Sequence, residues 1–128
     1  MLLQKLTPVL LANDIEACIA FWENFGLEAT IRVPGPDGLS FAALAQGGIE
    51  IMYQSFESAV ADSPSAVEGI NRSMLYFEVR SLDAVLPIAK QYEIVVAERT
   101  TAYGSREIYI RDPAGNVIGF AEQQGDTE

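Results

Sequence analysis

The chain has no histidine and a single cysteine, Cys18. Without histidine there is no Ser–His or Cys–His nucleophilic pair, and the commonest general base and transition-metal ligand are both missing. One cysteine excludes an internal disulfide and any multi-cysteine metal cage. Cys18 sits at a helical core spacing and reads as a small buried hydrophobe rather than a nucleophile. Basic residues are scarce, with 8 Lys and Arg against 18 Asp and Glu and a formal net charge of −10. A field of that sign repels phosphates, which argues against nucleic acid and anionic membrane surfaces as partners. It favours cationic ligands, or is simply a solvated surface that keeps the protein soluble. No apolar run reaches the roughly 18 residues that a membrane span needs. The opening MLLQKLTPVLLAND has too short an apolar region, and no small-residue cleavage site, for a signal peptide. A cytoplasmic protein is expected.

With 128 residues and 49% hydrophobic content, the chain can bury one compact core and is too short for two ordinary ones. Leu6 to Ala12 reads as a strand. Asn13-Asp14-Ile15-Glu16 then reads as a helix start, with Asn13 as cap, Glu16 reaching back and Asp14 at the positive end of the dipole. Ile15, Cys18, Ile19, Trp22 and Phe25 recur at helical spacing, which makes Trp22 a core residue rather than a ligand platform, and Gly26 ends the helix. Ala29 to Val33, Leu39 to Ala45 and Ile49 to Gln54 follow as strands, separated by Pro34-Gly35-Pro36-Asp37-Gly38 and by Gly47-Gly48. The small, acidic stretch from Ser55 to Ile70, broken by Pro64, reads as a linker with a helical turn around Ala59.

Arg72 to Val79 is again a strand, Ser81 caps a helix to about Tyr92, and Ile94 to Glu98 is a strand. Pro87 inside that helix removes a backbone donor, so the helix is either kinked or starts later than Ser81. The stretch REIYIRDPAGNVIGFAE, from Arg106 to Glu122, closes the order as a hairpin. Asp112 opens its turn, Pro113 presets φ and Gly115 accepts the positive φ. VLLANDIEACIAFWENFGLEA and YFEVRSLDAVLPIAKQYEIVV match as strand, cap, acidic first turn, apolar stripe and strand. The chain is thus an internal repeat of a strand-helix-three-strand unit, 1–54 and 71–128, around the linker 55–70.

The closing hairpin, the first motif TPVLLANDIEACIAFWENFGLEA and the second motif YFEVRSLDAV resemble the vicinal oxygen chelate superfamily. That superfamily contains glyoxalase I, extradiol dioxygenases, fosfomycin-modifying enzymes and bleomycin resistance proteins. The resemblance covers nearly the whole chain. It implies an α+β fold of two paired βαβββ modules whose curved mixed sheets enclose a ligand cavity, often completed by a second subunit. It carries the metal-ligand positions of the family's enzymes onto Thr7, Glu50, Met74 and Gly119, of which only Glu50 is a good ligand. One carboxylate cannot make a catalytic site, which needs about three protein ligands. No metal and no other cofactor are expected.

In that fold, strand alternation puts Thr7, Val9, Glu50, Met52, Gln54, Met74, Tyr76, Glu107, Tyr109, Val117 and Gly119 on the cavity side. Ile49, Ile51, Leu75, Phe77, Ile108, Ile110, Ile118 and Phe120 pack under the helices. The candidate ligand-binding set is Glu50, Met52, Met74, Tyr76, Tyr103, Glu107, Tyr109 and Gly119, with no catalytic residue. The tyrosines could stack on rings and attract a cation, the two glutamates could pair with an amine, and Gly119 would leave room. Alternatively Met52, Met74 and Tyr76 fill a closed core, and the chain is a bare dimerisation or regulatory module. The phrases PVLLANDIEACIAFW, YGSREIYIRDPAGN and the acidic end GFAEQQGDTE resemble the bleomycin resistance proteins most. That implies a homodimer sequestering a cationic glycopeptide antibiotic, or another cationic or aromatic antibiotic or metabolite, in an interface crevice without turnover. Pro8 fits a first strand exchanged between subunits. The segment 55–70 does not match the drug-binding loop of those proteins. The other class of function is an enzyme, a metal-dependent or metal-free lyase, isomerase or oxygenase of the same fold, with Glu50 recruiting a metal together with Glu107, Glu78 or a partner-subunit group, or acting as a metal-free base of raised pKa.

Overall fold

The computed structural model describes residues 2–123, so the acidic end 124–128 lies outside the described residues. The chain divides into two compact units, Met1–Asn71 and Arg72–Glu128. Each contains one βαβββ motif around a four-stranded mixed sheet.

Unit 1 begins with β1 (Val9–Ala12) and α1 (Ile15–Glu23). The helix cap is Asp14 rather than Asn13, because the helix starts at Ile15. The Asp14 carboxylate accepts the Ala17 N–H at 3.0 Å, satisfying a first-turn donor that the helix leaves unpaired. β2 (Glu28–Gly35), β3 (Gly38–Gln46) and β4 (Ile49–Ser55) complete a sheet of order β1-β4-β3-β2, with β1 parallel to β4 and the other pairs antiparallel. Helix α1 covers β2, β3 and β4. Beneath it Ile15, Cys18, Ile19, Phe21 and Trp22 bury against Leu10, Ala42, Leu44, Ile51 and Tyr53. Trp22 donates its indole N–H to the Tyr53 hydroxyl at 2.8 Å, so two large rings are buried without an orphaned polar atom. Ile49, expected under the helix, is exposed, since it opens β4 beside the Gly47-Gly48 turn.

The expected linker is mostly helical, as α2 (Phe56–Asp62) and α3 (Pro64–Val67). Ser55 caps α2 by accepting the Ser58 N–H at 3.0 Å, and Gln54 on β4 donates to Asp62 at 2.8 Å, tying both ends of α2 to the sheet. Pro64 disfavours a helical Ser63, which adopts φ −165° and separates the two helices.

Unit 2 repeats the motif as β5 (Met74–Glu78), α4 (Leu82–Ala89), β6 (Ile94–Thr100), β7 (Ser105–Arg111) and β8 (Val117–Gln123). Its order β5-β8-β7-β6 is that of unit 1, again with one parallel pair, β5 with β8. Helix α4 starts directly after its Ser81 cap, whose hydroxyl accepts the Ala84 N–H, while Glu122 on β8 takes the Leu82 N–H at 2.7 Å. The start is therefore not later than Ser81 allows. The helix is short, and Pro87 falls near its end, where few carbonyls lose a donor. Under α4, Ile108, Ile110, Ile118 and Phe120 are buried, and Phe77 stacks on Phe120 at 5.9 Å between ring centres.

The β7–β8 turn is held by polar groups inside the protein. Asp112, 4% exposed, accepts the Ala114 and Asn116 backbone N–H groups at 3.0 and 2.7 Å and the Asn116 side-chain amide at 3.0 Å. Asn116 in turn accepts the Ser73 N–H at 2.8 Å, which fixes where β5 begins. Gly115 has φ +91°, and a Cβ there would also collide with the Arg72 side chain. Replacing Asp112 with Ala strands three donors. We expect a loss of about 2–3 kcal/mol in urea unfolding with an unchanged m-value. A loss below about 0.5 kcal/mol, the scale of ordinary surface changes, would show that the turn is not held this way.

Candidate functional site

Register on unit 2 brings most of the candidate residues to one face of one sheet. Tyr76 on β5 lies opposite Gly119 on β8, and Gly119 lies opposite Tyr109 on β7. The next row runs Glu78, Ala121, Glu107 and Arg99, and the row before it holds Met74 and Val117. The central strand β8 thus contributes Gly119 and Ala121, the smallest side chains available. Their smallness is what lets long side chains from β7 lie across them. A Cβ added at Gly119 would come within 2.4 Å of the Tyr109 ring, so the ring occupies that space. Gly119 therefore does not open an empty volume of its own.

Glu107 is the centre of this face. Its side chain is 0% exposed, yet every acceptor position is used. Oε2 accepts from the Tyr103 hydroxyl at 3.0 Å, the Ser105 hydroxyl at 3.2 Å and the Tyr76 hydroxyl at 3.5 Å. Oε1 accepts from the Tyr109 hydroxyl at 3.3 Å and from Arg99 at 3.4 Å. The Arg99 guanidinium also lies 5.8 Å from the centre of the Tyr109 ring. Burial alone would raise the carboxyl pKa, but the donors from Tyr103, Ser105, Arg99 and Tyr109 together outweigh it and hold Glu107 below its ordinary value. The same contacts act oppositely on the phenols. The hydrogen bond to Glu107 raises Tyr103, and burial followed by the Glu107 charge raises Tyr109. Around this buried centre the apolar surface is open, with Met74 65%, Tyr76 47% and Tyr103 72% exposed.

Glu50 and Met52 of the candidate set belong to unit 1, on β4. Glu50 is ion-paired with Lys5 and accepts the Thr7 hydroxyl at 3.3 Å, both from the segment before β1. Its pKa is lowered, first by the hydrogen bond with Lys5. Met52 lies between Val9 on β1 and Ala43 on β3. Two cavities in unit 1 are lined by other residues. One, of about 260 Å³, is bounded by the β2–β3 turn and the start of α2, including Asp37, Ser40 and Phe56. The other, of about 360 Å³, is bounded by Gly26, Glu28, Ala45, Gln46 and Gly47.

Sequence reasoning missed three participants. Ser105 lies two residues before Glu107 and so on the same strand face, a signal that period-two alternation carries. Arg99 is set opposite Glu107 by a β6–β7 register containing two irregularities, which spacing does not reveal. Gln123, whose amide donates to the Tyr76 hydroxyl at 3.3 Å, is likewise placed by register.

The family model described as Glyoxalase/Bleomycin resistance protein/Dioxygenase superfamily matches residues 5–120. The chain belongs to this superfamily. Among solved structures, it is similar to a glyoxalase/bleomycin resistance protein/dioxygenase family enzyme from Burkholderia phytofirmans. The TM-score is 0.77 and the identity 23%, over 93% of this chain and 98% of that one. A lactoylglutathione lyase from Agrobacterium tumefaciens gives 0.71 and 22% over 95% and 96%. A bleomycin-binding protein complexed with bleomycin gives 0.65 and 16% over 95% and 100%. At these identities the likeness is one of fold. No curated protein matches the chain.

Superfamily membership raises the question of a metal, and the donor chemistry present does not fit one. Of the positions carried over from the metal enzymes, Glu50 is the sole carboxylate, and Lys5 already neutralises it. Thr7 offers a hydroxyl and Met74 a thioether, weak ligands for a hard or borderline divalent ion. Among the described residues, no three His, Cys, Asp or Glu side chains are grouped as metal ligands.

A proton-linkage prediction follows from the Glu107 cluster. The carboxyl titrates lower in the folded protein than in the unfolded chain. Its contribution to stability is therefore fully present above the ordinary value near 4.5 and is lost as pH falls below it. Urea unfolding from neutral pH down to about pH 3.5 should show the native protein's advantage over Glu107→Gln shrinking with acidity. A constant gap would mean that the donors do not recognise the ionised form.

Proposed function

We propose that this protein is a non-catalytic small-molecule binder that sequesters a cationic or aromatic antibiotic or metabolite, acting as a cytoplasmic homodimer with the ligand in a crevice at the interface. The observation that carries the reading is the open face of unit 2, where Met74, Tyr76 and Tyr103 present exposed thioether and aromatic surface around a fully buried carboxylate. Rings of this kind supply apolar area for affinity and π-faces that attract positive charge. The net charge of −10 adds long-range attraction for cations. The bleomycin-binding protein, complexed with bleomycin, shares the fold and lends this reading support.

The enzyme reading has less behind it. A general base for neutral pH needs a raised carboxyl pKa, and Glu50 and Glu107 are both lowered. Glu50 and Glu107 are instead already ion-paired, with Lys5 and Arg99. The purified protein, prepared without chelator, should carry no stoichiometric divalent metal by elemental analysis, and a tightly held equivalent would reverse the preference.

Thermal unfolding against a bleomycin-type glycopeptide and a panel of unrelated aromatic cations tests the proposal. A ligand at about 100-fold its Kd adds roughly 2.7 kcal/mol to the folded state. A saturable shift with the glycopeptide alone identifies a drug-sequestering protein, and a shift with a simpler cation assigns a metabolite. No shift with any of them overturns the reading.

A further inference from the structure

We infer that the phenol oxygens of the tyrosine face of unit 2 act as acceptors only, which selects ligands by their N–H donors, and that Glu107 is the positioning residue that makes them so. The inference rests on the binding function proposed above and deepens it.

An ionised carboxylate has no proton to give, so every group bonded to it must donate. Tyr103, Tyr109 and Tyr76 each direct a hydroxyl at Glu107, at 3.0, 3.3 and 3.5 Å. A phenol has one proton. Once that proton is committed inward, the oxygen can only accept from what lies outside. Tyr76 shows this state within the protein, since its oxygen takes a hydrogen bond from the Gln123 amide at 3.3 Å while its own proton points to Glu107. The acid form of Glu107, which could reverse these directions, is disfavoured by the same donors.

A ligand amine cannot take the place at Glu107 directly. Five donors already meet two carboxylate oxygens, which offer about four lone-pair sites. The buried charge reaches the ligand through the phenols, as oriented lone pairs. Ligands suited to this face combine a flat ring, to lie on Tyr76, Tyr103 and Met74, with a primary ammonium, amidinium or guanidinium group. At the phenols a carboxylate-bearing isostere would meet lone pairs with lone pairs, and the donors beside them, Arg99 and Gln123, are engaged with Glu107 and Tyr76. A quaternary ammonium would keep the charge and the attraction to the rings but offer no N–H.

Three probes sharing one ring separate these terms: naphthylmethylammonium, its N,N,N-trimethyl analogue and naphthylacetate, each titrated calorimetrically into the full-length protein. The native protein should bind the primary ammonium about tenfold more tightly than the quaternary one, the scale of one or two net hydrogen bonds, and should bind the acetate more weakly than either. Glu107→Gln offers the phenols an amide N–H, which turns hydroxyl protons outward. The preference should fall to within about threefold. Tyr103→Phe keeps the ring and removes one acceptor, so it should weaken the ammonium alone, which tests the idea even if the glutamine variant does not fold. Ultraviolet titration of the phenols supplies a readout without ligand, because Glu107→Gln should lower the pKa of Tyr103 and Tyr109, so that they ionise at lower pH. Equal binding of both cations by the native protein, or an unchanged preference in the folded variants, overturns the inference and leaves the binding function standing. An unmoved phenol titration overturns it as well. Binding of neither cation overturns both.

Discussion

A carboxylate with no exposed surface has to be satisfied by the protein around it, and much of unit 2 follows from that requirement at Glu107. Burying such a charge unpaired is prohibitive, so donors must converge from several elements. They come from β6 through Arg99, from the loop after it through Tyr103, from β7 through Ser105 and Tyr109, and from β5 through Tyr76. Three of these donors are tyrosines, which do two things at once. Their hydroxyls satisfy the buried charge, and the rings of Tyr76 and Tyr103 stay at the surface.

Space for this arrangement comes from β8. The helix-facing residues of the strand, Ile118 and Phe120, are large and buried, while the opposite face carries Gly119 and Ala121. In unit 1 the topologically equivalent strand β4 carries the long side chains Glu50, Met52 and Gln54, and the neighbouring β3 carries Ala43 and Ala45 opposite Met52 and Glu50. The two units therefore share strand order and a helix-covered face, and differ in which strand holds the bulk on the other. A repeat of this kind keeps what the core needs and leaves the open face free to differ, and there the candidate ligand-binding residues lie.

Membership of the superfamily fixes less than it first suggests, because its fold is shared by a lactoylglutathione lyase and by a bleomycin-binding protein. Function has to be argued from the site. Here the site offers a buried carboxylate ion-paired with Arg99, exposed aromatic surface and phenol hydroxyls directed at that carboxylate.

Much of the architecture was readable from residue order. The period of 3.6 through Ile15, Cys18, Ile19 and Trp22, the alternation in Ile108, Ile110, Ile118 and Phe120, and the Asp112-Pro113-Ala114-Gly115 turn each follow from local geometry that neighbouring residues dictate. The same alternation put Tyr76, Glu107, Tyr109 and Gly119 on one face. It gave only a helical turn around Ala59 where 56–67 forms two short helices, because such short helices have little apolar stripe to betray them, and it put the first cap one residue early. Only the tertiary structure decided that Glu107 is sealed under tyrosines instead of open to a ligand, that Arg99 is its partner, and that Tyr109 fills the space above Gly119. Those outcomes depend on register between strands far apart in the chain, including the irregular pairing of β6 with β7. Alternation along a strand determines which face a side chain takes, but which neighbour it meets there is set by strand pairing, and no local periodicity encodes that.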